Sequence, residues 1–231
     1  MSILTTHHLV KQFGSFIAVN DVNLNLKAGD RYALIGENGA GKTTLMKLIV
    51  GLLVPTAGTT VITDHDTAQQ PIAAKQQLGY MSDDPSAYDY LTGHEFLILT
   101  GKLRGIEGKK LTHRIAELTT MFPIQHILNQ PMSYYSRGNK QKLAFLAALL
   151  AKPKLLVIDE PIVGLDSVSI DIMGKTLKQH SQDGGAVLFV THILDFAERY
   201  ANRAGYMQQG KIVREITVNR STKLELETTH Y

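Results

Sequence analysis

Residues Gly36 to Thr43 read GENGAGKT and match the pattern G-x-x-x-x-G-K-[ST], which forms phosphate-binding loops. Glycines in such a loop turn backbone amides towards phosphate oxygens, the lysine reaches the β- and γ-phosphates, and the following hydroxyl ligates magnesium. The segment follows a strand-like stretch, RYALI, and precedes a helical pattern, KTTLMKLIVGLL, which is the context that the motif requires. We therefore predict a nucleoside triphosphate site that contains Gly36, Asn38, Gly39, Ala40, Gly41, Lys42, Thr43 and Thr44.

A pair of acids ends the apolar segment LLVIDE at Asp159 and Glu160. A carboxylate at the end of a strand can hold magnesium, and its neighbour can orient a water molecule for attack on a phosphate. We therefore predict that Asp159 ligates the metal and that Glu160 is catalytic. Without a phosphate loop, the same pair would be read as two solvated acids at a strand end.

Residues 135–141 read YSRGNKQ and open a long apolar run. Ser136 is a suitable residue to cap a helix there, and the free amides and dipole at a helix N-terminus also attract an anion. The local chemistry leaves both interpretations open.

The composition excludes several classes of protein. The net charge of +3 is too small to indicate a nucleic-acid partner, and with no cysteine the chain has neither disulfides nor a thiolate metal site. The longest apolar run, Leu143 to Ala151, is shorter than the roughly 20 residues that cross a bilayer. The N-terminus also lacks the features of a secretory signal. We expect no direct insertion into a membrane.

Continuous apolar runs at 155–159 and 186–192 predict buried strands, and the helix-length sequence between them favours a largely parallel, helix-covered sheet of the α/β class. Between about 84 and 150, apolar residues recur every three or four positions, which is typical of helices. We predict a single domain over 1–231, in which this helical subdomain is inserted into the nucleotide-binding core.

Taken in chain order, GENGAGKTT, YSRGNKQKL, LLVIDEP, GLD and FVTH resemble the motifs of ATP-binding subunits of ABC transporters. The resemblance covers nearly the whole chain. It implies a P-loop NTPase core, an N-terminal antiparallel β part and ATP with Mg²⁺ as ligands. It also implies that Ser136 and Gly138, in the signature loop, grip the γ-phosphate of ATP held by the opposite subunit. The sequence departs from the usual L-S-G-G-Q at Tyr135, Arg137 and Asn139.

The same resemblance assigns roles to three further residues. Phe13, in KQFG, corresponds to the residue that stacks on adenine. His192, after LFVT, is similar to the histidine that contacts the γ-phosphate and helps to arrange the attacking water. Asp166, in GLD, resembles the residue that links the two sites across the dimer.

Asp83 occupies the position at which the family usually carries glutamine. A carboxylate can still reach magnesium or orient water, but it adds negative charge beside the triphosphate. The surrounding segment, DDPSAYDYLTGHEF, resembles export-type subgroups in which this residue is often acidic. We therefore include Asp83 in the nucleotide and metal sites and expect an exporter.

The expected function is an ATPase subunit that forms a homo- or heterodimer and drives separate multi-spanning membrane subunits from the cytoplasmic face. Two alternatives remain: an ABC-type ATPase that acts on ribosomes or DNA without transport, and a regulatory subunit with low turnover. The pair His7 and His8 and the DHD segment at 64–66 lack partners at metal-ligand spacing. We expect both to lie in surface loops.

Overall fold

The computed structural model describes residues 1–83, 88–219 and 221–225. Two sheets and seven helices account for most of this part of the chain. The strands are β1 (Ser2–Phe13), β2 (Phe16–Lys27), β3 (Arg31–Ile35), β4 (Ala57–Ile62), β5 (His65–Asp66), β6 (Leu78–Met81), β7 (Leu155–Asp159), β8 (Ala186–Val190), β9 (Arg203–Gln208) and β10 (Lys211–Thr217). The helices are α1 (Lys42–Ile49), α2 (Pro71–Gln76), α3 (Gly93–Leu103), α4 (Gly108–Thr119), α5 (Arg137–Leu149), α6 (Ser167–Gln182) and α7 (Leu194–Tyr200).

The smaller sheet is antiparallel and has the order β2-β1-β4-β5. The larger sheet has the order β10-β9-β3-β8-β7-β6, and all of its pairings are parallel except that of β9 with β10. This arrangement confirms the predicted α/β class, the mostly parallel sheet and the antiparallel N-terminal part.

The central strands of the larger sheet are buried on both faces. In β3, Tyr32 and Leu34 pack into the apolar core around α1, whereas Ala33 and Ile35 pack into the core beneath the other helices. A strand covered on both sides needs an apolar residue at every position, which explains the continuous runs in the sequence.

Helices α3, α4 and α5 lie between β6 and β7 in the chain and pack on one another. Residues 84–87 of the predicted helical subdomain lie outside the described residues. Within the described ranges, no helix is both long and apolar enough to cross a membrane.

Candidate nucleotide site

The glycine-rich loop joins β3 to α1 and bends through two left-handed residues, Gly39 (φ 82°) and Gly41 (φ 104°). A side chain on Gly41 would collide with the backbone carbonyl oxygen of Ala18, so the site also requires the absence of a Cβ. Gly41 is the N-cap of α1 and offers no side chain to the first turn. The amides of that turn can therefore be satisfied by an anion.

Lys42 folds its side chain back over this loop. Its Nζ donates hydrogen bonds to the carbonyl oxygens of Gly36 (2.7 Å) and Glu37 (2.8 Å). Burial lowers the pKa of Lys42, and the charges of Glu160 and Asp159 oppose that shift. The ammonium group is thus already held above the loop, where incoming phosphate oxygens would replace the two carbonyls.

Asp159 ends β7 and is 6% exposed. Burial raises its pKa to about 6, the negative charges of Glu160 and Asp83 add to the shift, and Lys42 and Lys47 oppose it. A buried carboxylate that resists ionisation gains from a divalent cation, because the cation compensates the charge.

Glu160 follows in a left-handed conformation (φ 49°) that places its side chain against His192. Nδ1 of His192 lies 2.9 Å from Oε2 of Glu160. That oxygen is buried, and no described residue satisfies it with a well-aligned hydrogen bond. A buried acceptor with spare capacity suits a water molecule that must lose a proton.

A cavity of about 640 Å³ joins the loop to these acids. Carboxylate and hydroxyl oxygens are the ligands that magnesium prefers, so this donor set fits Mg²⁺. Nine of the predicted residues line the cavity: Asn38, Gly39, Gly41, Lys42, Thr43, Thr44, Asp83, Asp159 and Glu160. Gly36 and Ala40 line an adjoining cleft of about 270 Å³.

Five predicted residues do not line either space: Phe13, Ser136, Gly138, Asp166 and His192, of which His192 contacts the lining residue Glu160. Ser136 is the N-cap of α5, and its Oγ accepts a hydrogen bond from the Asn139 amide at 3.3 Å. Gly138 lies against the carbonyl oxygen of Gly164, where a Cβ would clash. The signature loop is therefore built as a capped helix start, and its Ser136 and Gly138 do not line the cavity of their own chain's phosphate loop.

Asp166 is the N-cap of α6. It accepts hydrogen bonds from the Ser169 amide (2.8 Å) and from Nζ of Lys142 (3.1 Å). The Ser169 amide and then Lys142 lower the pKa of Asp166 to about 2. Within one chain, Asp166 thus caps a helix and pairs with a nearly buried lysine.

Phe13 ends β1 and lies opposite Phe16 across the β1–β2 turn. It is 48% exposed, and Nζ of Lys11 lies 5.0 Å from its ring centroid. Phe16, which the sequence did not single out, lines both the cavity and the adjoining cleft. The turn reads FGSF, with one phenylalanine on each side, and this pattern gave no signal for choosing between the two.

Two further features could not be read from the sequence. Burial raises the pKa of Tyr80 in the cavity wall to about 12, so its hydroxyl remains a donor near the acids. Nη2 of Arg137 lies 3.1 Å from Oδ1 of Asp83, which joins two segments that are distant in the chain.

His7 and His8 lie within β1 and His65 and Asp66 form β5, so the prediction of surface loops was wrong for these four residues.

Comparison with known proteins identifies the family. The family model described as ABC transporter matches residues 19–163, which is more than half of the chain. The chain belongs to the ABC transporter family. This ABC chain is 33% identical to the bacitracin transport ATP-binding protein BcrA of Enterococcus faecalis over 230 residues, which is 99% of the chain and 74% of BcrA.

Solved structures agree with this assignment. An ATP-binding subunit of an ABC transporter superposes with a TM-score of 0.89 at 31% identity, covering 94% of this ABC chain and 90% of that structure. A dimeric ATP-binding cassette in a post-hydrolysis state, bound to ADP and Pi, gives a TM-score of 0.85 at 25% identity over 94% and 99% of the two chains. This ABC chain is an ATP-binding subunit with ATPase activity.

Proposed function

We propose that this chain works as one half of an ATP-binding dimer in which each nucleotide lies between two subunits. The observation that carries the proposal is the separation of the site within one chain. The phosphate loop and the acids share a cavity, whereas Ser136 lies at the start of α5 and does not line it. In an isologous dimer, one chain's signature loop can face the other chain's phosphate loop. The similarity to a dimeric cassette supports this arrangement.

In this proposal, the loop amides and Lys42 bind the triphosphate, and Thr43, Asp159 and Asp83 hold Mg²⁺. The metal, when bound, neutralises charge on the phosphate oxygens and fixes their position. Glu160 accepts a proton from the attacking water. His192, at 2.9 Å from that carboxylate, orients it and can meet the γ-phosphate.

Ser136 and Gly138 would complete the partner's site from the N-terminus of α5. The Ser136 hydroxyl and the first-turn amides are donors for the γ-phosphate oxygens. Gly138 is held against Gly164. The signature loop and the segment leading to Asp166 would therefore move together when the dimer closes. Asp166 would then transmit closure between the two sites.

We further propose that the dimer drives separate membrane subunits from the cytoplasmic face. Large apolar side chains are exposed along α2, α3 and the segment that leads into α3; they include Ile72, Tyr90 and Leu103. A contiguous exposed apolar patch marks an interface with another protein, and we infer that these side chains contribute to one. The helical subdomain, inserted in a single ATPase domain over 1–231, would therefore carry the signature loop and, together with α2, the contact with the membrane subunit.

The direction of transport that we propose is export. Asp83 in place of the usual glutamine supports it, as does the similarity to a protein named for bacitracin transport. Transport of an added substrate, measured with the membrane subunit in vesicles of defined orientation, would test this direction.

The dimer proposal is tested by mixing two inactive variants. Lys42→Ala removes the phosphate lysine, and Ser136→Arg blocks the signature loop by its bulk. If Ser136 acts in trans, a mixed dimer has one site with both lesions and one site with neither. We expect the mixture to regain ATPase activity over either variant alone. Mixed dimers that form without recovered activity would contradict the proposal.

A further inference from the structure

Two residues that depart from the usual ABC pattern contact one another. Asp83 replaces a glutamine and Arg137 replaces a signature-loop glycine, and they are 54 positions apart in the chain. Nη2 of Arg137 nevertheless lies 3.1 Å from Oδ1 of Asp83. The two departures are therefore complementary, since one adds a negative charge and the other adds a positive charge that meets it.

The backbone on both sides of this ion pair is held by other contacts. Gln141 is fully buried, and its Nε2 donates to the carbonyl oxygen of Asp83 at 3.1 Å. The aliphatic part of Arg137 lies beside Gly164. The carboxylate and the guanidinium can therefore separate while the loops stay in place.

The ion pair itself is accessible to solvent. The side chain of Arg137 is 59% exposed and that of Asp83 is 52% exposed. Exposed pairs of this kind contribute little to stability, too little to act as a structural brace. A stronger partner for either charge can therefore break the pair.

Such a partner would arrive at the cavity that Asp83 lines together with Asp159 and Glu160. Three carboxylates around one space repel one another, and the charge of Asp83 is one cause of the raised pKa of Asp159. A divalent cation removes this repulsion and competes with Arg137 for the Asp83 carboxylate.

We propose that Asp83 exchanges partners: Arg137 holds its carboxylate until Mg²⁺-ATP binds, and the bound metal then takes it over. Arg137 is in this sense a positioning residue for Asp83. Arg137 adjoins Ser136, in the loop that meets the partner subunit's nucleotide. The release of Arg137 therefore communicates to this loop that the chain's own site has bound Mg²⁺-ATP. The inference rests on the proposed function, since it requires Asp83 to face the metal and Ser136 to act in trans.

The exchange is tested by the Mg²⁺ dependence of binding of a fluorescent ATP analogue, at constant ionic strength and with no turnover required. Arg137→Gln removes the competitor, so we expect half-saturation at an Mg²⁺ concentration about two- to fivefold lower than in the wild type. Arg137→Lys keeps the positive charge and should stay close to the wild type. Arg199→Gln, which changes an exposed arginine on α7, is the matched control and should have no effect.

The effect must depend on Asp83. In an Asp83→Asn background, Arg137→Gln should change the Mg²⁺ requirement by less than about 1.5-fold, because no charged carboxylate is left to release. An equal shift of the half-saturating Mg²⁺ concentration in both backgrounds would mean that Arg137 acts through its charge in general. No shift in either background would mean that Arg137 does not compete with the metal. Either result overturns the inference. Binding of the analogue in EDTA, and its loss in Lys42→Ala, tests the nucleotide site separately from the exchange.

Discussion

His192 and Glu160 are in direct contact, with Nδ1 of the histidine 2.9 Å from Oε2 of the glutamate. The two residues come from the ends of neighbouring parallel strands, β8 and β7, whose carboxyl ends meet at the same edge of the sheet. The glutamate is 19% exposed and the histidine is 63% exposed, so the carboxylate lies inside the site and the imidazole covers it from the solvent side. This geometry supports the proposal that Glu160 meets the attacking water and that His192 supports the glutamate.

Glu160→Gln tests the role of Glu160 as base. The amide can still hydrogen-bond a water molecule but cannot accept its proton, so we expect turnover to fall by about 100-fold or more. ATP affinity should stay within a few-fold of the wild type, because Lys42 and the loop remain. Single-turnover hydrolysis at the wild-type rate would remove Glu160 from this role. The same variant should accumulate the ATP-bound dimer, which light scattering can detect.

Asp159→Asn should change the pH dependence of stability. The pKa of Asp159 is raised to about 6 in the folded chain, so its protonated form favours folding at low pH and that contribution is lost as the pH rises from about 4 through 6. Asparagine does not ionise, so the variant should not lose stability over this pH range. In the absence of Mg²⁺, we expect it to be more stable than the wild type at pH 7. Denaturant unfolding between pH 4 and 7 in EDTA measures the difference.

The control for this prediction is Asp64→Asn, because Asp64 is exposed in a turn with a left-handed backbone that asparagine tolerates. It should leave the pH profile unchanged. A profile for Asp159→Asn that is parallel to that of the wild type would show that Asp159 ionises normally.

Asp166→Ala should destabilise the chain through α6. The loss of an N-cap side chain costs about 1 kcal/mol in free energy of unfolding, and the nearly buried Lys142 also loses its carboxylate partner. The pKa of Asp166 is lowered to about 2, so its contribution is complete above about pH 4 and disappears as the pH falls towards 2. Glu107→Ala is a matched control, because Glu107 is the N-cap of α4 but makes no capping hydrogen bond. Equal unfolding free energies for the two variants would contradict this account.

Phe13→Ala tests the predicted contact with adenine. Stacking of a base on an aromatic ring contributes about 1 to 3 kcal/mol, so we expect ATP affinity to fall at least about fivefold, while Phe13→Tyr retains it. Inorganic triphosphate should bind the wild type and Phe13→Ala equally, because it has no base. Phe16→Ala is the informative comparison, since Phe16 lines the cavity. A loss confined to Phe16→Ala would assign the stacking contact to that residue.

The elements closest to the chemistry could be predicted because their patterns are local. The buried strands β7 and β8 were expected at 155–159 and 186–192, and they occupy Leu155–Asp159 and Ala186–Val190. The apolar pattern after Lys42 continued to residue 53, but α1 ends at Ile49 because the chain turns at Gly51 through a positive φ of 69°. Periodicity shows that a helix exists and does not fix its end.

Other elements had no local signature. In β1, His8 adopts a φ of 46° and the pairing with β2 and β4 shifts register there, so the alternation of apolar and polar residues is interrupted. The same interruption made two strand histidines look like loop residues. The contact between Asp83 and Arg137 depends on how α5 packs beside β6, and spacing along the sequence carries no information about that packing.

The order of strands in the larger sheet also bears on when the phosphate loop can fold as the chain is synthesised. Strand β3 leads into the phosphate loop, yet its two neighbours are β8 and β9, so Arg31 pairs with Val187 and Tyr32 pairs with Arg203. Contacts between such distant positions carry a loop-closure cost and slow the folding of a chain. A nascent chain that has emerged from the ribosome only as far as α5 therefore has the whole phosphate motif but neither flanking strand. We expect the loop to hold ATP only after β8 and β9 have emerged, because until then both edges of β3 are unpaired.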